Sequence, residues 1–222
     1  MIRRFPFRVL TALLLSAALA ACAGTPGKTL AVGTSGEAPG QTLAAGAPVA
    51  PPAGFIGYCM KYLGECAAPV QAPATVELSE AKRGELEQVQ ESVNRAVQPQ
   101  AEPEQAWDYP TSGAGDCNSY ALEKRRELMA LGWPRSALLL TAALTERGEG
   151  HLVLLARTSE GDLVLDNRLP RVAPWRDLPY RWLARQSDVA PLQWVGLPDR
   201  ASVYRVAAAA LPQQLAGSIQ LP

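Results

Sequence analysis

Gly113-Ala114-Gly115-Asp116-Cys117-Asn118-Ser119-Tyr120-Ala121 is the stretch on which the reading of the fold turns. Its glycines free the backbone, and the aspartate after them can accept the first orphan amide protons of a helix. The helix so begun ends at Gly132, with Trp133 and Pro134 as its stop. Its inward stripe reads Cys117, Tyr120, Ala121, Lys124 by its stem, Leu128 and Leu131. Cys117 therefore falls on the first turn.

Downstream the period changes. Residues 137–144, 151–157 and 163–166 are apolar strands, separated by the turn signals Arg147-Gly148-Glu149-Gly150 and Ser159-Glu160-Gly161-Asp162. Further strands are expected near 180–185, 192–195 and 203–206. Upstream, Ser79 can cap a helix running to about Val97, with Leu86, Val89, Val93 and Val97 on one face. Pro99, Pro103 and Pro110 then force an extended connection. Helices first and antiparallel strands afterwards make an α+β domain, with the N-terminal helices packed on the sheet.

Outside this domain the sequence reads differently. Arg3, Arg4 and Arg8 precede an uncharged run over 9–21, shorter than the roughly 20 residues that cross a bilayer. A basic start, a short apolar run and small residues at its end make residues 1–21 a secretory signal. Leu19-Ala20-Ala21-Cys22 resembles a bacterial lipobox, which implies acylation of Cys22; ordinary cleavage near Ala21 is the alternative. Ala23 after the cysteine fits sorting to the outer membrane, so the expected place is its periplasmic face. Residues 22–53 follow as the lipidated cysteine and an Ala/Gly/Pro linker, long enough for the domain to roam on the order of 30 Å. The folded domain is expected over 54–207, and 208–222 is an uncharged tail.

Composition excludes several functions. The 222 residues carry 21 basic and 21 acidic side chains, four cysteines and one histidine. Loss of 1–21 removes three arginines and leaves 18 basic against 21 acidic groups, a net charge of −3. That balance gives nucleic acid nothing to bind. A single histidine, with no C-x-x-C pair, excludes the usual structural zinc modules.

The chemistry centres on three residues. A thiol on a first helical turn meets unsatisfied amide protons and the positive end of the helix dipole, which favour the thiolate. The same amides can stabilise an oxyanion when the sulfur attacks a carbonyl. His151 and Asp166 lie on two strands joined by a tight turn. Closure at Ser159 sets them opposite each other, and a register with Arg157 opposite Asp162 would displace them by one pair. Cross-strand neighbours have Cβ atoms roughly 4.5–5.5 Å apart, so the carboxylate can orient the imidazole. As the sole histidine, His151 is the only imidazole base the chain offers. A buried structural cysteine and a structural His–Asp pair are the plainer alternatives.

The motifs Gly115-Asp116-Cys117-Asn118-Ser119-Tyr120-Ala121 with Lys124-Arg125, Gly132-Trp133-Pro134, Gly148-Glu149-Gly150-His151-Leu152-Val153-Leu154 and Gly161-Asp162-Leu163-Val164-Leu165-Asp166-Asn167 resemble the bacterial transglutaminase-like cysteine proteinases. These include LapG-type periplasmic proteases that release a large surface adhesin from the outer membrane. The resemblance spans about 54–195, including Asn94 and Tyr180-Arg181-Trp182. It implies a transglutaminase-like, papain-like cysteine peptidase fold, with Cys117 as nucleophile, His151 as base and then acid, and Asp166 as orienter. It also implies a protein substrate, with a surface adhesin as the family's example, and an inner-membrane regulator.

The sequence departs from the family at one point. Calcium-dependent members carry acids around the nucleophile, whereas here only Asp116 is acidic, with Asn118 and Ser119 following. Calcium takes six to eight oxygens and gains affinity from carboxylates. Asp116 and Asn118 would thus bind calcium weakly or not at all, and the helix N-cap is the other reading of Asp116. With Cys22 acylated and Cys117 reactive, Cys59 and Cys66 form either a disulfide in an oxidising periplasm or two buried thiols. Asn94, Trp107 and Tyr109 are candidates for shaping the groove. Two rival functions stay open: acyl transfer to an amine through the same thioester, and a non-catalytic binding lipoprotein that keeps the fold.

Overall fold

The computed structural model describes residues 41–66, 72–101 and 107–198. Its elements in chain order are β1 (Pro48–Val49), α1 (Ala53–Lys61), α2 (Leu63–Cys66), α3 (Glu80–Ala96), β2 (Gln98–Pro99), β3 (Ala114–Gly115), α4 (Cys117–Ala130), β4 (Leu138–Leu144), β5 (Gly150–Thr158), β6 (Gly161–Leu165), β7 (Ala173–Pro174), β8 (Arg181–Gln186) and β9 (Trp194–Gly196). Seven strands form one antiparallel sheet in the order β1-β9-β8-β4-β5-β6-β7, while β2 and β3 pair in parallel.

Local chemistry sets the helix ends. Ser79 caps α3, its Oγ accepting the Lys82 amide proton at 3.2 Å. α4 closes in a Schellman turn: Gly132 adopts φ +86°, its amide bonds Met129 O at 3.0 Å, and the Trp133 amide bonds Leu128 O at 3.0 Å. Leu131, expected on the inward stripe, is instead 47% exposed. The turn swings the chain so that Trp133 is buried in its stead, with Nε1 donating to Glu85 Oε2 at 2.6 Å.

Strand alternation divides the core. Leu138 and Leu140, Leu152 and Leu154, and Leu163 and Leu165 face a cluster built from α1, α3 and α4. Leu139, Ala143, Val153, Leu155 and Val164 face the other way, toward Leu178, Tyr180 and Trp182. With both faces covered, β5 and β6 are apolar almost throughout.

Two boundaries need correction. Residues 41–53, assigned to the linker, belong to the domain from Gln41 onward. Leu43 is buried, its amide bonds Asp162 Oδ2 at 2.7 Å, and β1 pairs with β9. Small residues suffice because this edge is held by backbone: the Gly46 amide bonds Gly196 O at 2.8 Å, and a Cβ on Gly46 would stand 2.7 Å from that oxygen. The strand expected at 192–195 forms at Trp194–Gly196. Residues 1–21, Cys22, 203–206 and the tail 208–222 lie outside the described residues.

Candidate active site

Cys117 is the first residue of α4, and Asp116 is its N-cap. Asp116 Oδ1 accepts the amide protons of Asn118 at 2.9 Å and Ser119 at 3.4 Å, while Oδ2 accepts Asn118 Nδ2 at 3.1 Å. Gly113, at φ +79°, turns the chain into β3 ahead of this cap. Cys117 is half-buried and carries a free thiol.

His151 follows the first residue of β5, and Asp166 directly follows β6. The β5–β6 register sets Arg157 opposite Asp162 and Leu154 opposite Leu165, one pair away from a closure at Ser159. Ser159 and Glu160 form a two-residue loop between Thr158 and Gly161. His151 and Asp166 are therefore diagonal rather than directly opposite, but a shift of one pair keeps both on the same face. His151 Nε2 lies 2.8 Å from Asp166 Oδ1. The Cys117 sulfur is close enough to the ring to help raise its pKa. With Nε2 on the carboxylate, Nδ1 is the nitrogen left for the thiol. Sulfur, imidazole and carboxylate thus form one chain.

Electrostatics favour the charged forms of His151 and Asp166. Burial alone would push the His151 pKa down, but the bond to Asp166, the charge on that carboxylate and the neighbouring Cys117 raise it to about 9. Burial likewise opposes ionisation of Asp166. The bond to His151 and the imidazolium charge outweigh it, with the Arg168 amide at 2.9 Å and the Tyr180 hydroxyl at 2.5 Å, and keep the carboxyl below its ordinary value. Tyr180 is pushed well above the ordinary phenol range by burial and by that same carboxylate.

Sequence reasoning missed Gln90 and gave Asn94 and Tyr180 no role at Asp166. Gln90 Nε2 donates to the backbone oxygens of Asp166 and Leu169, both at 2.7 Å, and Asn94 Nδ2 reaches Leu169 O at 2.9 Å. Gln90, a polar residue beside the apolar stripe of α3, was the available signal. Asn94 thus holds the Asp166 turn instead of shaping a groove. Trp107 packs against Phe55 and Trp194, and the Tyr109 hydroxyl bonds that of Tyr58 at 2.9 Å, so both belong to the aromatic cluster on α1. Cys59 and Cys66 are joined by a disulfide. Lys124 is buried over its whole length, not only its stem, and its Nζ has no hydrogen-bond partner.

Asp116 is the one carboxylate next to Cys117 in the sequence that calcium could use. Both Asp116 oxygens are engaged by the helix cap and Asn118. Among the described residues no three His, Cys, Asp or Glu side chains gather where they could hold a metal. One carboxylate spent on a cap falls short of six to eight oxygen ligands.

A cysteine on a first helical turn, beside an imidazole that a buried carboxylate orients, marks a thiol hydrolase or acyltransferase of papain-like architecture. The family profile of the bacterial transglutaminase-like cysteine proteinases (BTLCP) matches residues 45–202, and the chain belongs to that family. It is a transglutaminase-like cysteine peptidase with an α+β, papain-like fold. Among solved structures it is similar to calcium-bound Legionella pneumophila LapG, at 22% identity and a TM-score of 0.47 over 54% of this chain and 71% of that one. It is also similar to Legionella pneumophila LapG at 24% identity, over 56% and 74% of the two chains, with a TM-score of 0.44. The EGTA-treated form of LapG gives 23% identity over 56% and 75%, also at 0.44. No curated protein matches the chain.

Proposed function

We propose that the protein is a membrane-anchored periplasmic endopeptidase in which Cys117, His151 and Asp166 act as a triad on a protein substrate. The bond from His151 Nε2 to Asp166 Oδ1, with the other ring nitrogen left for Cys117, carries the reading. The Cys117 sulfur attacks the scissile carbonyl carbon, and the oxyanion is met by the Cys117 amide at the start of α4. His151, as imidazolium, gives its proton to the leaving amine, and a thioester remains. Water then attacks the thioester carbon while His151 takes its proton, and the acid leaves as the sulfur is restored. Asp166 keeps its charge throughout and fixes the ring.

Acylation of Cys22 would hold the domain at the periplasmic face of the outer membrane, through the linker that ends near Gln41. The Cys59–Cys66 disulfide supports an oxidising compartment. A tethered peptidase there would meet proteins displayed on the same membrane, and a surface adhesin is a substrate of that kind. The calcium bound by LapG is not carried over, since Asp116 alone offers a carboxylate next to Cys117 in the sequence.

The test compares the proteins released from the surface of cells carrying wild-type protein and Cys117→Ser, with and without a calcium chelator. The reading predicts a surface protein released only by the wild type, with chelation making no difference. Identical release from both strains would refute it. Incorporation of a labelled amine in excess of hydrolysis would instead assign acyl transfer.

A further inference from the structure

Arg125 lies two turns along α4 from Cys117 and is 2% exposed, yet its Nε and Nη1 have no hydrogen-bond partner. It lines a cavity of about 10 Å³ together with Arg135, Ser136, Ser187 and Asp188. That is room for the centre of one particle of roughly water size.

The surrounding charges do not balance. Arg135 bonds the backbone oxygen of Glu65 and, at 3.2 Å, its Oε2. Asp188 pairs with Arg157 and stands 4.0 Å from Arg185, while Arg157 Nε also reaches Asp162 at 3.3 Å. Among the described residues, four guanidiniums at 125, 135, 157 and 185 thus meet three carboxylates at 65, 162 and 188. Arg125 is the one left over. A guanidinium does not give up its proton in a protein, and an unmatched buried charge is costly. A water molecule would satisfy an N–H group there but leave the charge unmatched.

We propose that this cavity binds one small monovalent inorganic anion of chloride size, seated against Nε and Nη1 of Arg125. The ion completes the charge balance and joins α4, which begins with Cys117, to the turn at Arg135–Ala137 and the loop at 187–191. Its site is separate from the triad and does not depend on the proposed function.

The purified protein is melted at constant ionic strength while gluconate, too large for the cavity, is replaced by chloride. The proposal predicts a saturating rise in Tm of a few degrees, as expected for a ligand at about ten times its dissociation constant in a domain of this length. Arg125→Met is expected to lose the chloride-dependent rise. Coincident chloride and gluconate curves, or an unchanged rise in Arg125→Met, would overturn the proposal. Should that variant not fold, wild-type crystals grown in bromide decide: an anomalous peak beside Arg125 supports the site, and a water without anomalous signal overturns it.

Discussion

Tyr180 donates its hydroxyl hydrogen to Asp166 Oδ2 at 2.5 Å while its ring stands edge-on to His151, with centroids 5.7 Å apart. One side chain thus fixes both the carboxylate and the imidazole. Tyr180→Phe keeps the ring and removes the bond. A hydrogen bond to a charged group contributes roughly 1.5–3 kcal/mol, so kcat/KM is expected to fall about ten- to a hundredfold with KM little changed. Unchanged kcat would show that Tyr180 serves packing alone.

The pH dependence follows from His151. Its pKa is raised from 6.5 to about 9, so the imidazolium that the proposed mechanism uses to protonate the leaving amine persists through neutrality and is lost as pH rises through about 9. The same shift stabilises the fold fully below 6.5, and that contribution also disappears through about 9. Asp166→Asn removes the main support of the raised pKa. The alkaline limb of kcat/KM should move to lower pH in that variant, whereas Tyr180→Phe, with the carboxylate intact, should not move it downward.

Lys124 makes the opposite contribution. Burial pulls its pKa down from 10.5 to about 7, only partly opposed by the charge on Asp166, and the ammonium lies 5.9 Å from the centre of the Tyr120 ring. The unfolded chain therefore holds this proton more tightly. The penalty is complete below about 7 and is relieved as pH rises toward 10.5. Lys124→Met is expected to melt several degrees above wild type at pH 6, with the gap narrowing at pH 9. Equal melting at both pH values would mean that Lys124 finds a partner in solution.

The Cys59–Cys66 bond closes a short loop across α1 and α2, beside the aromatic cluster of Phe55, Tyr58 and Trp107. Chain-entropy arguments give such a bridge about 2.5 kcal/mol. Melting in the presence of a thiol reductant should occur several degrees lower than without it, and Cys59→Ser with Cys66→Ser should melt at the lower temperature under both conditions.

The parts of the fold set by neighbouring residues could be read in the sequence. Asp116 and Gly132 bound α4 through contacts within five residues, and the stripe from Leu86 to Val97 places α3 on the core. The β5–β6 hairpin was legible as a hairpin but not in its register. That depends on loop length, set here by Thr158 Oγ1 bonding Gly161 O at 2.6 Å and by Gly161 at φ +103°. The bonds that support Asp166 were hidden because their donors lie far along the chain: Gln90 on α3, and Tyr180 ahead of β8. The docking of residues 41–49 was hidden for another reason. It rests on backbone hydrogen bonds, which small side chains do not announce.

The claim that Cys117 is a nucleophile activated by His151 is tested most directly by its rate of alkylation with iodoacetamide at pH 6, followed by mass spectrometry of the peptide containing Cys117. The account predicts that Cys117 reacts at least roughly tenfold faster than free cysteine, and that His151→Ala lowers the rate to that of a free thiol. Equal rates in the wild type and His151→Ala would contradict it.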